Sequence, residues 1–282
     1  SKPDGSLSSV LLGGGTSENS GEPCGPSDLL LGCLTSKLPA ATYHLGEGFH
    51  SPELACLSWG LGGYQFRHFK SGKSAIRELR KCAQLLLPSD LDKSRMEHII
   101  EAIWFARDLI NTPASHCGPS ELEKAVRLVG ERYGAEVRAI VGDQLLAQKF
   151  ILIHTVGRGS PRPPRLIELN WRKPQLNSSA LKITLVGKGI TFDTGGLDLK
   201  PASAMLLMKK DMAGAAVALA VAHMIMAAQL DVELRLLIPS AENSVSGDSF
   251  RPGDIVNSRS GKTIEIGNTD AEGRLILADA LD

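Results

Sequence analysis

The spacing of apolar and polar positions along the chain predicts helices first. Between residues 53 and 134, apolar side chains recur every three or four positions, which is typical of helices with one buried face. Ser120 and Glu123 have the spacing of a capping box, and Gly134 is suited to a helix end, so they would open and close one of these helices. The predicted helices cover residues 53–61, 73–87, 92–111 and 120–134, and a short strand is predicted over residues 7–12.

From residue 136 onward the pattern changes to short apolar runs that alternate with helical segments. The runs are predicted strands, and an alanine-rich helix is predicted from Asp211 to Leu230. Strands that alternate with helices favour an α/β fold with a mixed, largely parallel sheet flanked by helices, whose ligands bind beyond the carboxyl ends of the strands. The predicted strands cover residues 137–141, 151–156, 165–169, 181–186 and 232–238.

The predicted elements divide the chain into three parts. Residues 1–91 are predicted to form a smaller α/β N-terminal domain, residues 92–113 a linker helix, and residues 114–282 a catalytic domain. The chain opens without methionine and ends inside a predicted helix. We therefore expect the first domain to be incomplete at its start and the catalytic domain at its C-terminal end.

The composition of the chain disfavours several classes of protein. The 31 basic residues equal the 31 acidic ones, so no net charge attracts the chain to nucleic acid or to an anionic membrane. No apolar stretch is expected to reach the length of a bilayer span. The five cysteines include no CxxC pair, which favours free thiols and a cytoplasmic location. The seven histidines form no HExxH motif, which excludes that class of zinc peptidase.

Charged residues lie at strand ends and helix starts in the last third of the chain, where solvated side chains are unexpected. Lys188 and Asp193 follow the predicted strand 181–186 within a glycine-rich stretch. A phosphate-binding loop is a weak alternative, because neither GxxxxGK[ST] nor GxGxxG is present. Asp211 opens the alanine-rich helix, where a carboxylate that stabilises the helix dipole is the ordinary explanation.

A third acidic segment comes after a predicted hairpin over residues 254–266. If the chain stays extended there, Asp270, Glu272 and Arg274 point to one side, because side chains alternate along a strand. Four buried carboxylates would repel one another, so a cluster of this kind needs cations. The pattern therefore predicts a hydrolase with two metal ions.

These segments resemble the M17 leucyl aminopeptidases. The resemblance covers residues 186–200, 205–216 and 268–282, and Asn-Thr-Asp-Ala-Glu-Gly-Arg-Leu from residue 268 matches the family signature. Residues 106–113 and 64–66 are similar to the shorter bacterial branch of the family. The resemblance implies an aminopeptidase that hydrolyses the N-terminal residue from peptides.

The resemblance implies five metal ligands. Asp193 and Glu272 would each contact both ions, Asp270 would complete one site, and Lys188 with Asp211 would complete the other. Ligation rich in carboxylates suits zinc or manganese foremost, with magnesium and cobalt also compatible. Lysine can ligate only as the neutral amine, so nearby dications would have to lower its pKa.

The resemblance also implies roles toward the substrate, a peptide with a free N-terminus. Lys200 would bind substrate and stabilise the developing oxyanion, and Arg274 would hold a bicarbonate ion that acts as general base. Met208 and Asn268 would contact the substrate, although a methionine at helical spacing is more often plain core. A homohexamer is the assembly that the resemblance implies.

Two alternatives to a peptidase remain open. The chain could bind metal without turnover, as a catalytically inactive fragment, or it could have the accessory DNA-binding role known for some relatives. Nucleic acid is disfavoured by the balanced charge and by the lack of a basic run.

Overall fold

The computed structural model describes residues 7–12, 28–71, 82–175 and 180–282. The chain forms two compact units, Ser1–Ile100 and Glu101–Asp282. The boundary between the units lies within a helix that runs from Lys93 to Asn111. The apolar spacing predicts a helix at this place, over residues 92–111.

The first unit is small and combines helices with a two-stranded parallel sheet. Its elements are a 3₁₀ helix (Asp28–Leu34), β1 (Thr42–His44), α1 (Pro52–Gly62) and β2 (Gln84–Leu86), with β1 and β2 paired. Ser51 caps α1, because its hydroxyl accepts the amide N–H of Leu54 at 3.2 Å. Leu31, Ala55 and Trp59 form its buried centre.

Two sequence predictions for this unit are affected by the structure. Residues 7–12 have no regular structure, so the predicted strand is wrong. Of the helix predicted over residues 73–87, residues 73–81 lie outside the described part of the chain, and residues 84–86 form β2 rather than a helix. Residues 84–86 form a strand because they pair with β1, and the local spacing of apolar residues does not indicate such a long-range contact.

The second unit begins with the rest of the helix Lys93–Asn111, named α2, and with α3, which runs from Pro119 to Tyr133. The predicted capping box is displaced: the Glu121 carboxylate, not that of Glu123, accepts the N–H of Gly118 at 3.2 Å. Glu123 instead forms ion pairs with two arginines. The helix ends as predicted at Gly134, whose φ of 67° is left-handed and suits glycine.

The centre of this unit is a five-stranded mixed sheet. Its strands are β3 (Glu136–Val141), β4 (Arg165–Arg172), β5 (Leu181–Val186), β6 (Gly189–Asp193) and β7 (Val232–Asn243). The path of strands is β3-β4-β7-β5, and β6 also pairs with β7. The β3–β4 and β4–β7 pairs are antiparallel, whereas β5 and β6 both run parallel to β7. The mixed α/β fold is confirmed, with parallel and antiparallel pairings in equal number.

Helices cover both faces of the sheet. The helices after α3 are α4 (Gln144–Ala147), α5 (Ile151–Gly157), α6 (Ala202–Met205), a 3₁₀ turn (Met208–Met212), α7 (Ala213–Ala227) and α8 (Glu272–Leu281). Helix α3 and the alanine-rich α7 pack on one face, where residues such as Leu219, Leu169 and Leu234 are buried. Helices α5 and α8 pack on the other face with Leu152 and Leu237. Neighbouring residues of β7 therefore supply both cores, as expected for a strand covered on each side.

Helix α5 corrects the strand predicted over residues 151–156. A short apolar run fits a buried helix as well as a strand, and periodicity alone does not separate them. In the structure, the carboxylate of Asp279 in α8 accepts the N–H groups of Leu152 and Ile153 at 2.8 and 3.0 Å. The first turn of α5 is therefore capped by a residue more than 120 positions away, which no local pattern could indicate.

The segment Met208–Ala227 corrects the expectation about apolar length. It is long and apolar enough to cross a membrane by length and composition, but half of its most apolar window is buried inside the protein. It packs against β7 and α3, which identifies it as a core helix. The predicted hairpin is present as the antiparallel strands β8 (Ile255–Asn257) and β9 (Thr263–Glu265).

Candidate metal centre

The end of β6 brings the first acidic residue to the carboxyl edge of the sheet. The register between β6 and β7 shifts by one residue between Ile190 and Phe192, so Thr191 bulges and Asp193 lies opposite Asn243. Bulges redirect side chains and are frequent beside functional sites. Asp193 is 2 % exposed, so its carboxylate is placed away from solvent.

Lys188 joins the second and third acidic segments. It lies between β5 and β6, and its Nζ is 2.9 Å from an oxygen of Asp211 and 2.8 Å from Oε1 of Glu272. Its carbonyl oxygen accepts the N–H of Ala215 at 2.9 Å, which ties the start of α7 to the same point. One ammonium group therefore bridges carboxylates that are 61 positions apart in the chain.

Lys200 makes the corresponding bridge on the other side. Its Nζ is 2.9 Å from Oδ2 of Asp193 and also contacts Oδ1 of Asp270. One carboxylate oxygen from each of Asp193, Asp270 and Glu272 lies within 4.8 Å of the other two. The predicted ligands from three separate segments thus converge, as their types and positions in the sequence indicated.

The charges of this cluster do not balance. The four carboxylates and two ammonium groups sum to −2 when all are ionised. Burial raises the pKa values of Asp211 and Glu272, although their hydrogen bonds with Lys188 oppose the increase. The site therefore favours additional positive charge.

Both lysines remain ammonium groups in this arrangement. Burial alone would lower the pKa of each lysine, but hydrogen bonds to carboxylates outweigh this effect. Asp211 and Glu272 raise the pKa of Lys188. Asp270 and Asp193 raise the pKa of Lys200 to about 12. Lys188 must therefore lose a firmly held proton before its nitrogen can act as a ligand.

The acidic segment after β9 is helical, which corrects the extended conformation that we predicted. Thr269–Ala271 form a 3₁₀ turn and Glu272 begins α8. The side chain of Asn268 accepts the N–H of Asp270 at 2.7 Å and so nucleates the turn. Asp270 and Glu272 still converge, and the side chain of Arg274 is exposed in the first turn of α8.

Glycine at position 273 makes room for Lys188. A Cβ atom there would lie 2.6 Å from Cε and 2.8 Å from Nζ of Lys188, well inside ordinary contact distance. The Gly in the signature thus permits the lysine to reach Glu272.

Three residues that sequence reasoning missed hold the acidic segments together. Asn243 donates from Nδ2 to Oδ1 of Asp193 at 2.9 Å and to the carbonyl oxygen of Thr269 at 3.0 Å. The hydroxyl of Thr269 donates to the carbonyl of Gly195 at 2.6 Å, and its N–H donates to Asp198 at 2.7 Å. Of these three, Asp198 and Thr269 lie close in sequence to predicted ligands, and that proximity was the available signal.

Two of the predicted substrate residues lie close in the chain to residues of the cluster, Asn268 to Asp270 and Met208 to Asp211. Asn268 is exposed, and Met208 is half-buried at the start of the 3₁₀ turn that carries Asp211. Lys200 is inside the cluster through its two carboxylate contacts.

The donor set fits divalent cations. Oxygen-rich ligation suits such ions, and Oε2 of the buried Glu272 accepts no hydrogen bond from any residue that the structure describes. An excess of negative charge and an unsatisfied carboxylate oxygen are what a cation would compensate.

Comparison with known families gives a match over most of the second unit. Residues 104–282, more than half of the chain, match the cytosol aminopeptidase family, catalytic domain. The chain belongs to this family. The peptidase family M17, to which the signature octapeptide pointed, is thereby confirmed.

Members of the cytosol aminopeptidase family are similar in sequence and in structure. A probable cytosol aminopeptidase of Mycobacterium marinum is 41% identical over 228 residues, which are 78% of this chain and 44% of that protein. The crystal structure of cytosol aminopeptidase from Coxiella burnetii is 46% identical with a TM-score of 0.82, and covers 90% of this chain and 54% of that one. The bottromycin maturation enzyme BotP in complex with Mn is 31% identical with a TM-score of 0.79, at 90% and 55% coverage. The chain thus spans about half the length of these relatives.

Proposed function

We propose that this chain carries the metal centre of a two-metal aminopeptidase, which removes the N-terminal residue from peptides. The observation that supports it is the convergence of Asp193, Asp270 and Glu272 within 4.8 Å, with a lysine bridging each side. Membership of the cytosol aminopeptidase family supports peptide hydrolysis. The family name also supports a cytosolic location.

The ligand assignment is the one that the family resemblance implies, and the positions of the side chains are compatible with it. Asp193 and Glu272, which are 2 % and 1 % exposed, would contact both ions. Asp270 would complete one site, and Lys188 with Asp211 the other, since these two are already in contact. A relative bound to Mn supports divalent ions, with manganese or zinc as the ions of choice and magnesium or cobalt as further candidates.

Bound divalent ions would supply Lewis acidity and an acidified water as nucleophile. Lys200 would donate hydrogen bonds to the substrate carbonyl oxygen as negative charge develops on it, which requires that Lys200 leave its contacts with Asp193 and Asp270. Arg274 would hold bicarbonate as general base, and its exposed position leaves it accessible to that anion. Met208 and Asn268 would contact the first residue of the peptide.

The experiment that tests this proposal uses the full-length protein and a chromogenic leucyl amide. We expect release of leucine that a chelator abolishes and Mn²⁺ restores, and no reaction of the N-acetylated amide. Hydrolysis that survives chelation, or equal rates on both amides, would contradict the proposal.

A second candidate is a chain that binds metal without turnover. It is favoured by the coverage of only about half of each relative's length. Calorimetry would show Mn²⁺ uptake by the 282 residues while the leucyl amide stays intact. A homohexamer of the full-length protein is a further proposal, which sedimentation tests.

A further inference from the structure

Asn243 occupies a position that the ligand assignment does not use. It is the last residue of β7, is 1 % exposed, and lies opposite Asp193 in the parallel pair with β6. Its backbone carbonyl accepts both the N–H and the hydroxyl of Thr194, at 3.0 and 2.8 Å. The main chain of Asn243 therefore fixes the residue that comes after Asp193.

The side chain of Asn243 links two acidic segments. Both groups that face its nitrogen, Oδ1 of Asp193 and the carbonyl of Thr269, are acceptors at 2.9 and 3.0 Å. An amide oxygen cannot pair with either, so the orientation of the amide is set by its neighbours. Its two N–H groups thus join the end of β6 to the turn that precedes Asp270 and Glu272.

This linkage decides which carboxylate oxygen of Asp193 is available to a metal ion. Oδ1 already accepts from Asn243 and from the N–H of Gly195 at 2.8 Å. Oδ2 is therefore the oxygen that contacts Lys200. Without the Asn243 amide, the Asp193 carboxylate can rotate and the Thr269 carbonyl loses a donor.

We propose that Asn243 is a positioning residue for the candidate metal centre, because its amide holds Asp193 and the segment of Asp270 and Glu272 in one arrangement. The inference rests on the proposed function, since it concerns the same site. Hydrogen-bond partners of metal ligands contribute about 10- to 100-fold to metal affinity.

The test compares Mn²⁺ affinity, by calorimetry, among the wild-type chain, Asn243→Leu and Asn257→Leu. Leucine keeps the shape of asparagine but has no N–H, and the exposed Asn257 at the end of β8 is the matched control. We expect affinity to fall about 10- to 100-fold only in Asn243→Leu, with all proteins folded by circular dichroism in chelator. Undiminished affinity in a folded Asn243→Leu would overturn the inference alone, whereas a wild-type chain that takes up no Mn²⁺ would overturn both the inference and the proposed function.

A second measurement covers the case in which Asn243→Leu does not fold. In the wild-type chain, Zn²⁺ should shift the side-chain NH₂ resonance of Asn243, because the carboxylate that it contacts becomes a ligand. The NH₂ resonance of Asn257 should not move. Zn²⁺ binding with no shift at Asn243 would overturn the inference.

Discussion

The buried carboxyl group of Asp279 should make the stability of the folded chain depend on pH. Burial raises its pKa from the ordinary 3.8 to about 6; the N–H groups of Ile153 and Leu152 and the charge of Arg259 oppose the increase, and the charge of Asp282 adds to it. Its Oδ1 is buried and has no hydrogen-bond partner among the described residues. We therefore expect Asp279→Asn to remove a destabilising charge while keeping the shape of the side chain.

The sign and the size of the effect come from proton linkage. The folded state holds a proton that the unfolded state releases between pH 3.8 and about 6, so this group makes the wild-type chain less stable as pH rises through that window. The difference in proton affinity corresponds to about 3 kcal/mol, at about 1.4 kcal/mol per factor of ten. Asparagine cannot ionise and keeps an oxygen for the two N–H groups of α5. The NH₂ group takes the place of the unpartnered Oδ1 and adds a cost that does not change with pH, so the stability of the variant relative to wild type should rise by up to about 3 kcal/mol between about pH 4 and about pH 7.

Urea denaturation in chelator at half-unit pH steps from about 4 to about 8 measures this difference. The exposed Asp231 provides the control Asp231→Asn, which removes one carboxylate without unburying anything. Contributions of the metal cluster to the pH dependence are common to all variants and cancel to first order. A stability difference for Asp279→Asn that is constant with pH, or that shrinks as pH rises, would refute the reasoning.

Three further predictions concern the metal centre. Lys188→Arg should abolish Mn²⁺ uptake at the site of Lys188 and Asp211 in calorimetry, because a guanidinium does not become a neutral ligand. The control Lys182→Arg, on the exposed face of β5, should bind Mn²⁺ normally, and equal Mn²⁺ uptake by the two variants would contradict the ligand role of Lys188. Gly273→Ala should weaken Mn²⁺ binding in calorimetry at little cost to stability in urea, because its Cβ would lie 2.6 Å from Cε of Lys188 and the flexible end of that side chain would have to move away from Glu272. Gly267→Ala, with no atom within 4 Å of its Cβ, should bind normally, and normal Mn²⁺ binding by Gly273→Ala would contradict the packing argument. Asn268→Ala should lower the stability of the chain by about 1 kcal/mol, because the side chain of Asn268 no longer accepts the N–H of Asp270 and so no longer caps the turn. An unchanged urea midpoint would show that this cap contributes nothing to stability.

The sequence predicted the acidic cluster better than it predicted the conformation that forms it. Asp270 and Glu272 were expected to converge through an extended strand, but a turn nucleated by Asn268 brings them together instead. Charge and chemical type could be read from the residues, whereas the choice between a strand and a turn depended on one side-chain cap. Arg274 was placed beside them by the extended conformation, whereas its bicarbonate-holding role came from the family resemblance and stays a prediction.

Long-range contacts explain the other errors. Helix α5 depends on a cap from Asp279, and β2 depends on pairing with β1, and neither contact leaves a local pattern. The roles of Asn243 and Thr269 depend on which segments become neighbours at the edge of the sheet. Apolar periodicity did predict α2, α3 and the main strands of the sheet, because their burial is set by their own sequence.

The measurement that tests the account most directly is anomalous diffraction from crystals of the chain grown with Mn²⁺. We predict two strong peaks between Asp193, Asp211, Asp270 and Glu272, with the Nζ of Lys188 within ligand distance of one of them. Peaks elsewhere, or full occupancy by Mn²⁺ with the two lysines still bridging the carboxylates, would contradict the metal centre proposed for this protein.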